Sequence, residues 1–302
     1  MLAGINIWEG KYKTPFLPEF QQWVPDRIKK AYELESPTSR TSWEASEYSI
    51  THQELVTNIL AAKEILDKQT ASLAISTLEK KITTNRCQYS VGEFFAGSAP
   101  ISQILSGQFE ENSQIGVSLF AIDIAPSIVS NSSGINTIQT DIFQNEIPID
   151  NLDLVIDQNG LYSITFGAIL SRSQIIERYR TVLEKYHNLL QDKHGTLIIN
   201  SPLKDNQTEN LLSALYNFYI REQEARRNIN LIKNGHQYRP FHEDLPYIIK
   251  ILKQNAELMK NCELLTRQEL TTLLDEVGFL VETTEDGIYY GANILIKAII
   301  KS

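Results

Sequence analysis

Three acidic residues each end a short apolar run of this sequence: Asp123, Asp141 and Asp157. Ahead of them, the run that ends at Phe95 breaks into the small residues Ala-Gly-Ser-Ala, 96–99, before a helix-like segment. A small-residue turn lets backbone N–H groups approach a ligand, and an acid at the tip of the neighbouring strand can hold both hydroxyls of a ribose. An ordinary strand-to-helix turn and helix-capping acids are the alternatives, and a single feature does not separate these readings.

The combination of four strand ends favours a ligand site. Asp141 is followed by Ile142, a pair that can accept from an adenine amino group and pack on its ring. Asp157 is followed by Gln158 on the next strand. Because the carboxyl ends of parallel strands meet at one edge of a sheet, all four ends should line a common crevice.

Composition and charge exclude several classes of function. The chain of 302 residues carries a net charge of −9, which argues against binding to a nucleic-acid backbone. Cys87 and Cys262 lack metal-ligand spacing and indicate free thiols in a reducing, cytoplasmic compartment. We expect no metal site, and neither a signal peptide nor a membrane span is evident.

The order of apolar runs predicts an α/β fold. Runs separated by helix-length segments indicate a mostly parallel sheet with helices on both faces. The last two runs form a hairpin, so the sheet should end in antiparallel strands. Thr266, Glu269 and Gly278 mark the helix before that hairpin as its N-cap, capping-box partner and C-terminal stop. The seven predicted strands are 90–95, 117–123, 135–138, 152–156, 196–200, 280–284 and 292–300.

The chain divides into two parts by this pattern. Residues 1–88 are predicted to form an N-terminal arm and a helical cover, and residues 89–302 the α/β domain. A stretch without strands, at about 203–264, is too long for an ordinary connection and is interpreted as a helical cap inserted over the site.

Residues 90–302 resemble class I S-adenosylmethionine (SAM)-dependent methyltransferases. The likeness rests on Glu-Phe-Phe-Ala-Gly-Ser-Ala (93–99), Ala-Ile-Asp-Ile-Ala-Pro (121–126), Asp141, Asp-Leu-Val-Ile-Asp-Gln (153–158) and the final hairpin. Phe95 and Ala99 depart from the family, which usually has glycines there. The resemblance implies a Rossmann-like fold, SAM as cofactor with S-adenosylhomocysteine (SAH) as product, and these cofactor-binding residues: Glu93, Phe95, Ala96, Gly97, Ala99, Asp123, Ile124, Asp141, Ile142, Asp157 and Gln158.

Fewer features of the sequence indicate what the methyl acceptor is. Tyr162, just past the fourth strand, is the candidate nearest the transferred methyl, with His236 and His242 in a cap loop as further catalytic candidates. Basic and aromatic residues of the cap suggest a pocket for an anionic, partly apolar substrate, and the aromatic N-terminal arm is interpreted as either a packed helix face or a lid over the site. Exposed loop and solvated-helix readings of the same residues stay open. The candidate substrate-binding residues are Tyr12, Tyr219, Arg226, Tyr238 and Arg239.

A narrower resemblance concerns architecture. The aromatic arm, the helical insert and the end of the chain after the last strand are similar to the methyltransferase half of bifunctional methyltransferase–prenyltransferases that tailor cyanobactin-type peptides. It implies carboxylate O-methylation of a peptide or small natural product, and a fused or partner biosynthetic domain after the C-terminus. The alternatives are an N- or phenol-O-methyltransferase and a non-catalytic scaffold module with this fold.

Overall fold

The computed structural model describes residues 61–82, 86, 88–97, 99–110, 116–124, 134–143, 145–165, 168–205, 262–287 and 293–301. Its helices are α1 (Ala61–Lys81), α2 (Pro100–Glu110), α3 (Arg172–Gln191) and α4 (Arg267–Val277), with a 3₁₀ helix at Leu161–Thr165. Its strands are β1 (Gln88–Phe94), β2 (Gly116–Asp123), β3 (Ile135–Gln139), β4 (Leu154–Gln158), β5 (Thr196–Pro202), β6 (Phe279–Gly287) and β7 (Asn293–Ile300).

The strands form one seven-stranded sheet in the order β3-β2-β1-β4-β5-β7-β6. Strands β1 to β5 are parallel, and β7 lies antiparallel between β5 and β6. The predicted α/β fold with a C-terminal antiparallel hairpin is confirmed. The strand order reverses between β1 and β4, and in open α/β sheets ligands bind at the carboxyl edge beside such a reversal.

Helices cover both faces of this sheet. On one face, α1 and α2 pack against each other and contribute Leu66, Leu78, Ile101 and Leu105 to a buried cluster with residues of β1, β2, β4 and β5. On the other face, α3 and α4 close a larger core that contains Tyr186. The central strands are buried on both sides, which explains their continuous apolar runs.

Strand β4 begins and ends two residues later than predicted. Asp157 and Gln158 are therefore the last two residues of the strand and do not follow it. The shift is possible because β4 is paired on both sides: Asp157 stands opposite Phe94 of β1 and Ile199 of β5. Similarly, β5 continues through Pro202, where the sequence suggested that the strand would already have ended.

The signals around α4 are confirmed in detail. The Thr266 side chain accepts from the Glu269 backbone N–H, and the Glu269 carboxylate accepts from the Thr266 backbone. Gly278 takes a left-handed conformation at φ 105°, as the helix end requires.

The predicted N-terminal arm and most of the cap lie outside the described residues, so the predicted domain boundaries stay predictions. Within the described ranges, none of the helices combines the length and the hydropathy needed to cross a bilayer.

Candidate functional site

The turn after β1 is left-handed at three positions. Phe95, Gly97 and Ala99 have φ of 51°, 55° and 52°. Hydrogen bonds from Ala96 N to Ile122 O (3.1 Å) and from Ala99 N to Ala96 O (2.7 Å) hold the turn in place. Phe95 and Ala99 thus adopt the conformation that the glycines of the resembled motif would take freely, at a cost of about 1–2 kcal/mol per residue.

Glu93 caps α2 from within β1. Its carboxylate accepts from the backbone N–H groups of Ile101 (3.2 Å) and Ser102 (2.7 Å). The side chain is only 2% exposed, and burial raises the pKa of Glu93 to about 7. The predicted contact of Glu93 with a cofactor stays a prediction, whereas its hold on the turn and on the start of α2 is direct.

The raised pKa of Glu93 predicts a pH-dependent stability. The folded protein keeps a proton that the unfolded chain releases above the ordinary glutamate pKa of 4.5. The contribution of Glu93 to the free energy of unfolding is therefore greatest below pH 4.5 and falls by about 3 kcal/mol as pH rises towards 7. Urea titrations from pH 4 to 8 should show this slope in the wild type and a weaker slope in Glu93→Gln.

Exposed Glu79, on the outer side of α1, supplies the matched control Glu79→Gln, which should keep the wild-type slope. Buried Asp157 adds a similar decline at lower pH and is unchanged in both variants. Identical slopes in Glu93→Gln and the wild type would contradict the assignment of this proton to Glu93.

Asp123 joins the end of β2 to the turn. Its Oδ2 accepts from the Gly97 backbone N–H at 2.8 Å, and its side chain is 6% exposed. The Thr140 N–H donates to the Asp123 carbonyl at 2.8 Å, which ties the end of β3 to the same point. Ile124, the next residue, is half-buried. The structure therefore brings the predicted ribose acid against the predicted small-residue turn.

Asp141 and Ile142 follow β3 at the same edge. Asp141 Oδ1 accepts from the Phe143 N–H at 2.9 Å, whereas the Ile142 side chain is buried in the larger core. Lys185 of α3 holds this loop, because its ammonium donates to the carbonyls of Ile142 (2.8 Å), Phe143 (3.1 Å) and Asn145 (2.7 Å). Sequence reasoning missed the role of Lys185, since nothing local links α3 to this loop.

Asp157 faces the interior. The carboxylate is fully buried and accepts from the Tyr186 hydroxyl (2.8 Å) and from the N–H groups of Gly160 (3.2 Å) and Leu161 (3.0 Å). Burial raises the pKa of Asp157 to about 6. Asp157 thus holds the backbone at Gly160 and Leu161 from the buried side of the sheet. Its predicted contact with a cofactor stays a prediction.

Gln158 belongs to a set of hydrogen-bonded side chains that the sequence did not reveal. We call it the amide network; it joins α1, β4, β5 and β7 at the carboxyl edge. Gln158 donates to Asp67 and accepts from Thr70 at 2.5 Å, and Asn200 donates to Thr70 at 2.8 Å. Asn293 donates to Asn200 at 2.9 Å and to Asn159 at 2.7 Å. The members are Asp67, Thr70, Gln158, Asn159, Asn200 and Asn293.

The catalytic candidates are only partly described. Tyr162 lies half-buried in the 3₁₀ helix directly after β4, with its ring against the larger core. The catalytic candidates His236 and His242 lie outside the described residues, as do all the substrate-binding candidates: Tyr12, Tyr219, Arg226, Tyr238 and Arg239. Two histidines that were not candidates are described: His187 packs edge-on against Phe279 with ring centroids 5.4 Å apart, and exposed His194 precedes β5 at the amino edge.

This chain is similar to known proteins only at the level of solved structures. No family model matches the chain, and no curated protein does. One similar structure is the plantazolicin methyltransferase BpumL in complex with a monoazolic desmethylPZN analog and SAH, with 13% identity and a TM-score of 0.49 over 92% of this chain and 98% of that one.

Two further similar structures are also methyltransferases. Magnesium protoporphyrin IX methyltransferase from Synechocystis with bound SAH has 12% identity and a TM-score of 0.46 over 92% of this chain and 94% of that one. The Burkholderia thailandensis 1,6-didemethyltoxoflavin-N1-methyltransferase has 12% identity and a TM-score of 0.45 over 89% of this chain and 94% of that one. At these scores, the function has to be inferred from the site of this chain.

Proposed function

We propose that this chain is a SAM-dependent methyltransferase that methylates a carboxylate oxygen of a peptide or small natural product. The observation that carries the proposal is the contact between Asp123 and the Gly97 N–H at the carboxyl edge of the sheet. It sets an acid suited to ribose hydroxyls directly against a small, left-handed turn, beside the reversal in strand order.

The other residues of this edge fit an adenosyl group. A carboxylate offers about four acceptor positions, so Asp123 can bind hydroxyls while it holds Gly97. Asp141 and the backbone of Ile142 come next along the edge, where adenine would lie. We assign ribose contact to Asp123, adenine contact to Asp141 and Ile142, and contact with the methionine end to residues 95–99.

The start of α2 argues against a dinucleotide. In dinucleotide-binding folds, the pyrophosphate lies at the N-terminus of the helix after the first strand. Here the buried Glu93 carboxylate already accepts the N–H groups of Ile101 and Ser102 at that helix end. Those N–H groups are therefore already bound and not free for a phosphate, whereas a sulfonium cofactor has no phosphate to place.

The turn itself argues against a non-catalytic scaffold. That alternative was motivated by Phe95 and Ala99, which stand where glycines are usual in the resembled family. Both residues nevertheless hold left-handed φ, so the conformation of a glycine-rich turn is kept despite its cost. We infer that the turn retains its ability to receive a ligand.

The acceptor assignment follows from proton chemistry. The cofactor supplies an electrophilic methyl group, and an alcohol or phenol acceptor would also need a general base. Of the two histidines that the structure describes, His187 packs on Phe279 and His194 stands at the amino edge, while the candidate bases His236 and His242 lie outside the described residues. A carboxylate needs no base, and we assign its positioning to Tyr162 and its neighbours after β4.

A labelling experiment tests this function. The protein is incubated with methyl-labelled SAM and a pool of short peptides with free C-terminal carboxylates. We expect transfer of label to a methyl ester, which mild base releases as methanol. Label stable to base would instead indicate an N- or phenol-O-methyltransferase. The absence of any calorimetric signal with millimolar SAH would overturn the methyltransferase proposal altogether and leave the scaffold alternative.

A further inference from the structure

The amide network has a fixed direction. Asp67 Oδ1 accepts from the Gln158 NH₂, which leaves the Gln158 oxygen facing Thr70. The Thr70 hydroxyl lies within hydrogen-bond distance of the Gln158 oxygen (2.5 Å) and of the Leu66 carbonyl (3.1 Å), and it accepts from the Asn200 NH₂. The shorter contact, with Gln158, links the orientation of Asn200 to Asp67 through two intermediate side chains.

The donor and acceptor roles in the amide network also determine how the Asn159 side chain is oriented. The oxygen of Asn200 accepts from the Asn293 NH₂, which also donates to the oxygen of Asn159. With its oxygen committed to Asn293, Asn159 must direct its own NH₂ away from the network. That nitrogen has no hydrogen-bond partner among the described residues, and the side chain is half-buried. The Asn159 side chain thus offers two N–H donors, and its oxygen is already bound.

The donors lie where a methyl acceptor would bind. Asn159 directly follows β4. Strand β4 lies on one side of β1, and β2, which ends in Asp123, lies on the other. The backbone N–H of Asn159 donates to the Asn200 carbonyl at 2.7 Å. Its neighbour Gly160 lies against the Phe95 side chain, at the turn assigned to the methionine end of the cofactor. If adenosine bound over β2 and β3, as the assigned contacts of Asp123 and Asp141 imply, the methionine end at residues 95–99 would lie next to Gly160 and Asn159.

We infer that Asn159 selects an oxygen acceptor: its NH₂ binds the non-reacting oxygen of a carboxylate while the other oxygen attacks the methyl group. The new O–C bond forms as the C–S bond breaks, the electron pair stays on sulfur, and no proton moves. An amine acceptor needs a hydrogen-bond acceptor at this place, and the network turns the side-chain oxygen of Asn159 inward. This inference rests on the proposed function and defines its substrate class.

The decisive variant is Asn159→Asp. It preserves size, the oxygen that accepts from Asn293 and the left-handed φ of 57°, which aspartate tolerates, but replaces the outward NH₂ by an oxygen. The matched control is Asn151→Asp, the same change at another left-handed asparagine (φ 46°), at the amino end of β4. Each protein is tested with SAH by calorimetry and with two peptide pools.

The first pool contains N-acetylated peptides with free C-terminal carboxylates. The second contains the same sequences with free N-terminal amines and amidated C-termini, and neither pool has ionisable side chains. For the wild type and Asn151→Asp, we expect label in the first pool. For Asn159→Asp, we expect carboxylate methylation to fall about 30-fold, as for the loss of a hydrogen bond to a charged group, with the Kd for SAH within about threefold of wild type.

A second variant, Asp67→Asn, tests the direction of the network. Asp67 is a positioning residue in this account, because it acts on Asn159 only through other side chains. An amide at position 67 lets Gln158 take either orientation, so the ratio of carboxylate to amine methylation should fall while SAH still binds. A purely structural role for Asp67 would lower methylation of both pools equally.

The outcomes separate the two proposals. If the wild type gives no heat with SAH, both the proposed function and this inference are wrong. If the wild type binds SAH but labels only amines or neither pool, the inference is wrong and the cofactor assignment stands. Carboxylate methylation by Asn159→Asp at the wild-type rate, or loss of its SAH binding, would equally overturn the role of Asn159.

Discussion

Asp123→Ala should weaken SAH binding by about 100-fold or more. One carboxylate holds the Gly97 N–H at 2.8 Å and, in the proposed complex, the ribose hydroxyls. Each hydrogen bond to a charged group contributes about 1.5–3 kcal/mol, so the loss of two corresponds to at least two orders of magnitude in Kd. Isothermal titration calorimetry with SAH measures the effect directly.

A milder variant separates the two roles of Asp123. Asparagine keeps an oxygen for the Gly97 N–H but loses the negative charge, so Asp123→Asn should lose about tenfold in affinity while the turn is preserved. Exposed Asp150 supplies the control Asp150→Ala, which should bind SAH as the wild type does. Wild-type affinity in Asp123→Ala would show that the adenosyl group lies elsewhere.

Gly160→Ala should lower the free energy of unfolding by about 3 kcal/mol, the upper range for a methyl group forced into a packed interior. A Cβ at position 160 would lie 2.2 Å from the Cβ and Cγ atoms of Phe95, closer than side-chain carbons can approach. Since Phe95 cannot move without the turn at 95–99, SAH binding should fall as well. Urea denaturation followed by circular dichroism gives the stability.

A compensating change tests this cause. Phe95→Gly removes the clashing atoms and supplies the residue that φ 51° favours, so the double variant should regain part of the lost stability. Gly107 of α2 gives the matched control, because a Cβ there meets nothing within 4 Å. Gly107→Ala should stabilise the protein by up to about 1 kcal/mol. A Gly160→Ala protein as stable as the wild type would mean that Phe95 does not pack there.

The sequence was most informative where the determining contacts are local. The end of β2 at Asp123 and the capping box of α4 were predicted correctly, because each depends on apolar periodicity or on side chains three residues apart. The antiparallel hairpin also followed from neighbouring residues. Strand β4 was placed two residues too early, since an aspartate looks like a strand terminator until Tyr186 is seen to accommodate it.

Structural features that depend on residues far apart in the chain could not be predicted from local sequence patterns. Asn293 and Asn159 are 134 positions apart, and only the insertion of β7 beside β5 brings them together. Likewise, Phe95 takes a left-handed conformation although its type argues against one; Gly160 leaves the space that its side chain fills. The sequence therefore predicted which strand ends meet at the carboxyl edge, but not the side chains that link them.

The direction of β7 has a practical consequence for handling the protein. Its first residue, Asn293, stands opposite Pro202 at the edge that bears the amide network, and Ile299 stands opposite Thr196 at the far edge. A tether attached beyond Ile300 would therefore emerge on the side remote from Asp123. Immobilisation on a biosensor chip through this end should leave the carboxyl edge of the sheet directed away from the chip, which suits kinetic measurements with SAH and peptides on a single oriented surface.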